Sequence, residues 1–252
     1  MKMNQGLKAI VLPLMLIVFG YGYGQKSASV TSFIQKSGVV KITANTSPID
    51  LARAAYLAQG GEKFRDLKTM ILSGTVDVYI PNSTIATPST FIYISARERL
   101  RKEVTSATSF VRQIHDGTHS YFSLRGISVP PPGKFGMFVL TKFDQPGYSV
   151  TALPDKDKSR AFRITDAEGN ATDFYIDPAN GQVRRQVAVY RRLTYGTEYK
   201  KWKSMDGILV PDSYTEGIES PQGTFYGEYK VKEVKINQPV SDDMFAMPQA
   251  KP

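Results

Sequence analysis

Apolar and polar residues follow two different periods along this chain, and the change between them marks its organisation. From Ser47 the period is helical. Ser47-Pro48-Ile49-Asp50 supplies an N-cap serine, a proline at the first helical position and an acidic residue in the first turn. Leu51, Ala54, Ala55 and Ala58 then share one face, and Gly60-Gly61 stops the run because glycine accepts the left-handed cap. The spacing predicts a helix over 48–59, with one further turn across 62–67.

From Lys68 onward the period is two. Met70, Leu72, Gly74, Val76, Val78 and Ile80 alternate with Ile71, Ser73, Thr75, Asp77 and Tyr79, as in a strand with one buried face. Further strands are predicted over 90–96, 99–104, 109–115, 120–124, 148–152, 160–165, 172–176, 183–191, 194–203, 209–214 and 224–234. Asp116-Gly117, Glu168-Gly169-Asn170, Asp177 to Gly181 and Asp206-Gly207 separate neighbours with turn chemistry at hairpin spacing. The expected fold class is α+β: a strongly curved, largely antiparallel sheet of about eleven strands, with one helix covering its concave apolar face.

One stretch, 126–147, breaks this rhythm. It opens with Val129-Pro-Pro-Pro-Gly133 and continues with Phe135, Met137, Phe138, Val139, Leu140 and Phe143, too apolar to lie in water. It reads either as core closing one end of the sheet or as a lid over an apolar cavity. On the second reading Phe135, Met137, Phe138 and Leu140 line a ligand site together with core-facing Leu72, Val76, Phe91, Phe122 and Tyr229.

The N-terminus carries an export pattern: Lys2 and Lys8, then an uncharged run from Ala9 to Phe19, then Gly20 to Gly24. A signal peptide over 1–24 is expected, cut after Gly24, with an uncleaved anchor as the alternative. A flexible leader over 25–46 and a single domain over 47–252 follow. Removing Lys2 and Lys8 with the signal takes the net charge from +9 to +7.

The 252 residues include no cysteine, which excludes disulfides, Cys-ligated zinc, iron–sulfur clusters and thiol catalysis. His115 and His119 flank Asp116 on one hairpin, but nothing brings both rings to one strand face, so no metal site is expected. No nucleophile elbow, phosphate loop or helical zinc motif is present, and neither catalysis nor a cofactor is expected. Basic clusters at Arg97 to Lys102, Arg184-Arg185, Arg191-Arg192 and Lys200 to Lys203 read as a basic wet face of the sheet. The functional alternative is attraction to an anionic membrane surface or an anionic envelope partner. Nucleic acid is not expected beyond an export signal.

Several segments, in order, resemble the LolA/LolB-like outer-membrane lipoprotein carrier family, in the broad sense of that family. They are Tyr56 to Gly61 leading to Leu67 to Gly74, Arg99-Leu-Arg101 followed by His115-Asp-Gly117, and Phe174 to Asp177-Pro with Gly181 and Arg184-Arg185. Tyr199-Lys-Lys-Trp202 leading to Asp206 to Pro211, and Val234 to Asn237 followed by Asp243-Met-Phe245, complete the resemblance over 50–247. The resemblance implies an unclosed β-barrel with helices lining or lidding an apolar cavity, and the carriage of lipid or lipoprotein acyl chains through the periplasm. In the typical carrier an arginine before a proline helps to fasten the lid. Arg97 is the nearest position here, with Glu98 where the proline would stand, which widens the expected cargo to phospholipids and other amphiphiles.

The function expected is that of an exported, soluble, monomeric binding or transfer protein for an acyl-bearing ligand. A non-catalytic envelope interaction protein reusing the fold is the alternative, and a hydrolase stands third.

Overall fold

The computed structural model of the protein describes residues 41–248. The expected signal peptide, and the leader up to residue 40, lie outside the described residues. Helix α1 spans Pro48–Gln59, bounded as its caps require. Ser47 Oγ accepts the Asp50 N–H at 3.3 Å and donates to the Asp50 carboxylate at 2.6 Å. Gly60 and Gly61 both adopt positive φ and lead into a single turn, α2 (Glu62–Arg65).

The rest is sheet: β1 (Thr69–Tyr79), β2 (Thr87–Ala96), β3 (Arg99–Thr105), β4 (Phe110–His115), β5 (Ser120–Phe122), β6 (Ser149–Ala152), β7 (Arg160–Thr165), β8 (Ala171–Ile176), β9 (Val183–Tyr190), β10 (Leu193–Met205), β11 (Ile208–Ser220) and β12 (Gly223–Ile236). The twelve strands among the described residues agree with the expected sheet of about eleven and match the twelve segments named from the sequence, except that β11 runs six residues past the expected end at Tyr214. Beyond that end Glu216 and Gly217 pair with Gly227 and Tyr226 of β12, so the ladder continues.

All strand pairs are antiparallel, in the order β5-β4-β3-β2-β1-β12-β11-β10-β9-β8-β7-β6. The chain therefore enters the sheet at its middle. It runs out by hairpins to the β5 edge, crosses to the β6 edge, and returns until β12 pairs with β1 from Met70↔Ile236 to Tyr79↔Tyr226. The crossover is 123–148, the segment that breaks the period-two rhythm. It is apolar because it must lie across the concave face to join the two edges.

The curvature has a direct measure. Lys102 on β3 and Glu216 on β11 are four strand spacings apart, about 19 Å in a flat sheet. Their side chains together reach roughly 10 Å at ordinary bond lengths. Yet Lys102 Nζ lies 2.8 Å from Glu216 Oε2, so the sheet is curled far enough for opposite walls to meet. The two edges stay unpaired with each other, and the barrel is unclosed.

A bulge at Ser73/Gly74, in the central β1–β12 pair, sharpens the bend. A Cβ on Gly74 would sit 2.1 Å from the Lys230 carbonyl oxygen, backbone that cannot move without undoing the ladder. Gly74→Ala is expected to cost about 1–3 kcal/mol by overpacking. Urea unfolding should show this as a lower midpoint at unchanged slope, and an unchanged midpoint would mean that the bend has slack.

The largest core cluster joins α1 to the β6–β9 half of the concave face: Leu51, Ala55 and Tyr56 pack with Val139, Leu140 and Phe143 of the crossover and with Phe162 and Phe174. On the outer face, Ile94 and Ala96 are covered by Phe245 from the C-terminal turn (Asp242–Phe245).

Candidate functional site

The crossover is stapled to both halves of the sheet. Near its start the Tyr195 hydroxyl donates to the Ser128 carbonyl. Farther on, the Gly136 N–H donates to Thr172 Oγ1 at 3.1 Å, and Arg65 donates to the Thr141 carbonyl at 3.1 Å and to Asp144 at 2.7 Å. Lys142 donates to Glu98 at 2.9 Å and to the Gly133 carbonyl at 2.7 Å, tying the segment to the β2–β3 turn.

Beneath this strap lie three small cavities. The first, about 160 Å³, is walled by Leu72, Tyr93, Phe135, Met137, Phe138 and Trp202 among others. The second, about 140 Å³, lies by Val104, Phe122, Phe225 and Tyr229, and the third, about 170 Å³, by Phe122, Val129 and Phe135. Outside, Phe138 and Leu67 separate the first cavity from an open groove of about 1000 Å³ that carries Arg65, Lys68, Arg97, Glu98, Arg99 and Lys142.

The structure thus brings Phe135, Met137, Phe138 and Leu72 to one wall, and Phe122 and Tyr229 to the adjoining one. Leu140 is elsewhere, fully buried against α1. Val76 and Phe91 pack with Tyr229 in the sheet core, the Phe91 ring edge-on to Tyr229 at 5.0 Å.

Arg97, the expected lid-fastening residue, sits at φ 55° in the β2–β3 turn and makes no ion pair among the described residues. The ion pair from this turn to the crossover comes from Glu98, through Lys142. Its carboxyl group is held below the usual glutamate range by the Lys142 hydrogen bond. Because the folded-state value is depressed, the latch contributes fully above the ordinary glutamate pKa and is lost as pH falls through the depressed value. The emission of the single tryptophan, Trp202, is expected to step on that acid limb as the Glu98–Lys142 pair is lost, and to lose the step in Glu98→Gln. A step that persists in Glu98→Gln would assign it to another carboxylate.

Three features of the walls escaped the sequence pattern. Lys102, grouped by sequence with the basic wet face, is 7% exposed and points inward, because Leu100, Lys102 and Val104 share the concave side of β3. Trp202 and Tyr199 both line the first cavity although three residues apart, since β10 has irregular register at Tyr199/Lys201 and Lys201/Trp202. Their rings stack at 4.3 Å, and the indole N–H donates to the Val183 carbonyl at 3.0 Å. Gln59, at the end of α1, is fully buried on the first cavity wall, and neither its amide oxygen nor its nitrogen finds a partner among the described residues. Gln186 Oε1, on the first and third cavities, is likewise unpartnered.

Burial raises the tyrosine hydroxyls of this region: Tyr93 is pushed up to about 12, and Tyr199 and Tyr214 go well above their ordinary value. They are therefore neutral hydrogen-bonding groups at any physiological pH. Lys102 feels burial first, which disfavours its ammonium, but Glu216 and Tyr229 more than offset this and hold it above the ordinary lysine range.

The histidines stand apart from the cavities. His115 is buried with Nδ1 2.9 Å from Ser120 Oγ, whereas His119 is exposed in the turn beside Asp116. Much of the outer basic face is paired, as in Arg184–Asp177 at 2.7 Å and Lys200–Glu228 at 3.1 Å. No helix among the described residues is long and apolar enough to cross a membrane.

No family model and no curated protein matches the chain. Among solved structures, a DUF1329 family protein from Desulfovibrio piger is similar at 10% identity, over 80% of this chain and 98% of that one, with a TM-score of 0.46. A putative outer membrane lipoprotein-sorting protein domain from Vibrio parahaemolyticus follows at 10% identity, 79% and 95% coverage and a TM-score of 0.45. A LolA superfamily protein from Nitrosomonas europaea aligns at 10% identity over 80% of this chain and 98% of that one, with a TM-score of 0.50. The likeness at this identity is one of architecture: the open, curved sheet described above is a LolA-like fold.

Proposed function

We propose that the protein is an exported carrier that holds one amphiphilic molecule by its acyl chain in the cavities beneath the 123–148 crossover. The observation that carries this reading is the set of adjoining apolar cavities under a strap that is itself apolar and latched at discrete points. The unpartnered amide of Gln59 supports it, since a fully buried donor and acceptor left unmet cost free energy that a bound polar group recovers. The Phe138 ring stands between charged groove and apolar chamber, where a chain would enter. The LolA-like fold agrees with a binding role outside the cytoplasm, and no step of chemistry is assigned to the site.

The test is native mass spectrometry of the protein recovered from the periplasm without detergent, with solvent extraction of whatever accompanies it. A stoichiometric acyl-bearing adduct is expected. A bare-chain mass, together with Trp202 emission unmoved by laurate, 1-monolauroylglycerol and dodecyl phosphate alike, would overturn the carrier reading in favour of an envelope interaction protein.

A further inference from the structure

An acyl tail is a weak handle by itself. Burying a chain of about ten carbons yields roughly 0.8 kcal/mol per methylene, and association takes back about half of that or more. The remainder corresponds to binding in the region of millimolar, so a carrier with this chamber needs a polar anchor.

Among the described residues lining the three cavities, Lys102 and Glu216 are the only charged ones. Glu216 borders all three. Each cavity is close in size to one that accepts a single benzene, so a longer chain must occupy more than one and pass this junction. At the junction Lys102 Nζ lies 2.8 Å from Glu216 Oε2 and 4.4 Å from the centre of the Tyr229 ring. The two partners differ in freedom: the lysine side chain is 9% exposed and the glutamate 38%. Glu216 can turn into water at small cost. Lys102 cannot, and stripped of its partner it would be an uncompensated buried charge.

We propose that Lys102 anchors the carboxylate of a single-chain fatty acid within the chamber, and that Glu216 is the internal stand-in that keeps the ammonium paired when no ligand is bound. The exchange replaces one carboxylate by another, so the ion pair is conserved and the displaced Glu216 regains its hydration. A monovalent head suits the single lysine. A dianionic phosphate monoester would bring a second charge with no further cation on the cavity walls to meet it. This inference rests on the carrier reading, and the experiment separates the two.

Laurate, 1-monolauroylglycerol and dodecyl phosphate are titrated into the full chain above the carboxylate pKa range, with Trp202 emission and native mass spectrometry as readouts. Wild type is expected to prefer laurate to the neutral ester by about tenfold or more, the scale of one charge-assisted hydrogen bond. Glu216→Gln, which removes the internal competitor, is expected to tighten laurate by about fivefold and leave monolauroylglycerol within about twofold. Lys102→Met is expected to erase the preference. Should Lys102→Met fail to fold, Glu216→Gln decides alone. Equal binding of laurate and ester, laurate affinity unmoved by Glu216→Gln, or a preference for dodecyl phosphate would each overturn the anchor and leave the carrier reading standing. Failure of all three to bind would overturn the carrier reading itself.

Discussion

Phe138→Asp is expected to lower the affinity for an acyl ligand by about a hundredfold or more while leaving a folded protein. The ring lies half-buried at the boundary between chamber and groove, stacked on Phe64 at a centroid distance of 5.7 Å. Exchanging it for a carboxylate removes apolar contact worth about 2 kcal/mol and places at the entrance a charge that an alkyl chain would have to desolvate in passing. Two such effects together exceed the 2.7 kcal/mol or so that a hundredfold represents. The variant can still fold because the groove side remains open to water and holds Arg65, Lys68 and Lys142 as counter-charges. Trp202 emission reports binding, and far-ultraviolet circular dichroism reports the fold. Undiminished uptake would reduce the crossover to ordinary core.

Phe174→Ala should have the largest effect on stability without being aimed at the ligand. Its side chain is fully buried and stacks on the equally buried Phe162 at 5.3 Å, beneath α1. Deleting a ring at such a site costs about 3–5 kcal/mol, of a total that for most domains is about 5–15 kcal/mol. Urea unfolding is the measurement. A loss near 1 kcal/mol would mean that α1 settles into the space left behind. On the carrier reading the two phenylalanines have different roles that hydrophobicity alone does not separate: Phe174 for the fold and Phe138 for entry to the chamber.

The elements were legible where alternation is strict and turns carry glycine or asparagine. The helix at 48–59, with its serine cap and double-glycine stop, is written in residues whose preferences are local. So are β1, β7 and β8, whose observed ends fall within one residue of the expected ones. The walls of the site were less legible, for particular reasons. Leu140 belongs to the same apolar run as Phe138, and only the path of the crossover decides that one meets the helix and the other the chamber. Trp202 and Tyr199 share a face through irregular register that period-two reasoning excludes. A pattern pointed to Arg97 as the residue that meets the crossover, whereas the ion pair to Lys142 comes from Glu98, the neighbour that departs from the pattern. A signal for the ion pair was present. Lys102 stands between Leu100 and Val104, and Glu216 between Tyr214 and Ile218, so opposite charges fall on two otherwise apolar strand faces. Strong curvature was expected, but alternation along single strands does not say which two faces it brings together.

The seam between β1 and β12 also has a consequence for how the molecule comes into being. Hairpins β1 to β5 and β6 to β12 close between near neighbours, but the seam joins positions such as Ser73 and Glu233, 160 residues apart. Loop-closure entropy makes such a pairing slow relative to a hairpin. Two half-sheets are therefore expected to form first and to wait, with their inner faces open, until the last strand is available. Pulsed hydrogen exchange should find the amides of β3 and β4 protected before those exchanged across β1 and β12. A chain of this plan cannot finish folding from its N-terminus, and its two half-sheets stay unjoined until the C-terminal strand has been made.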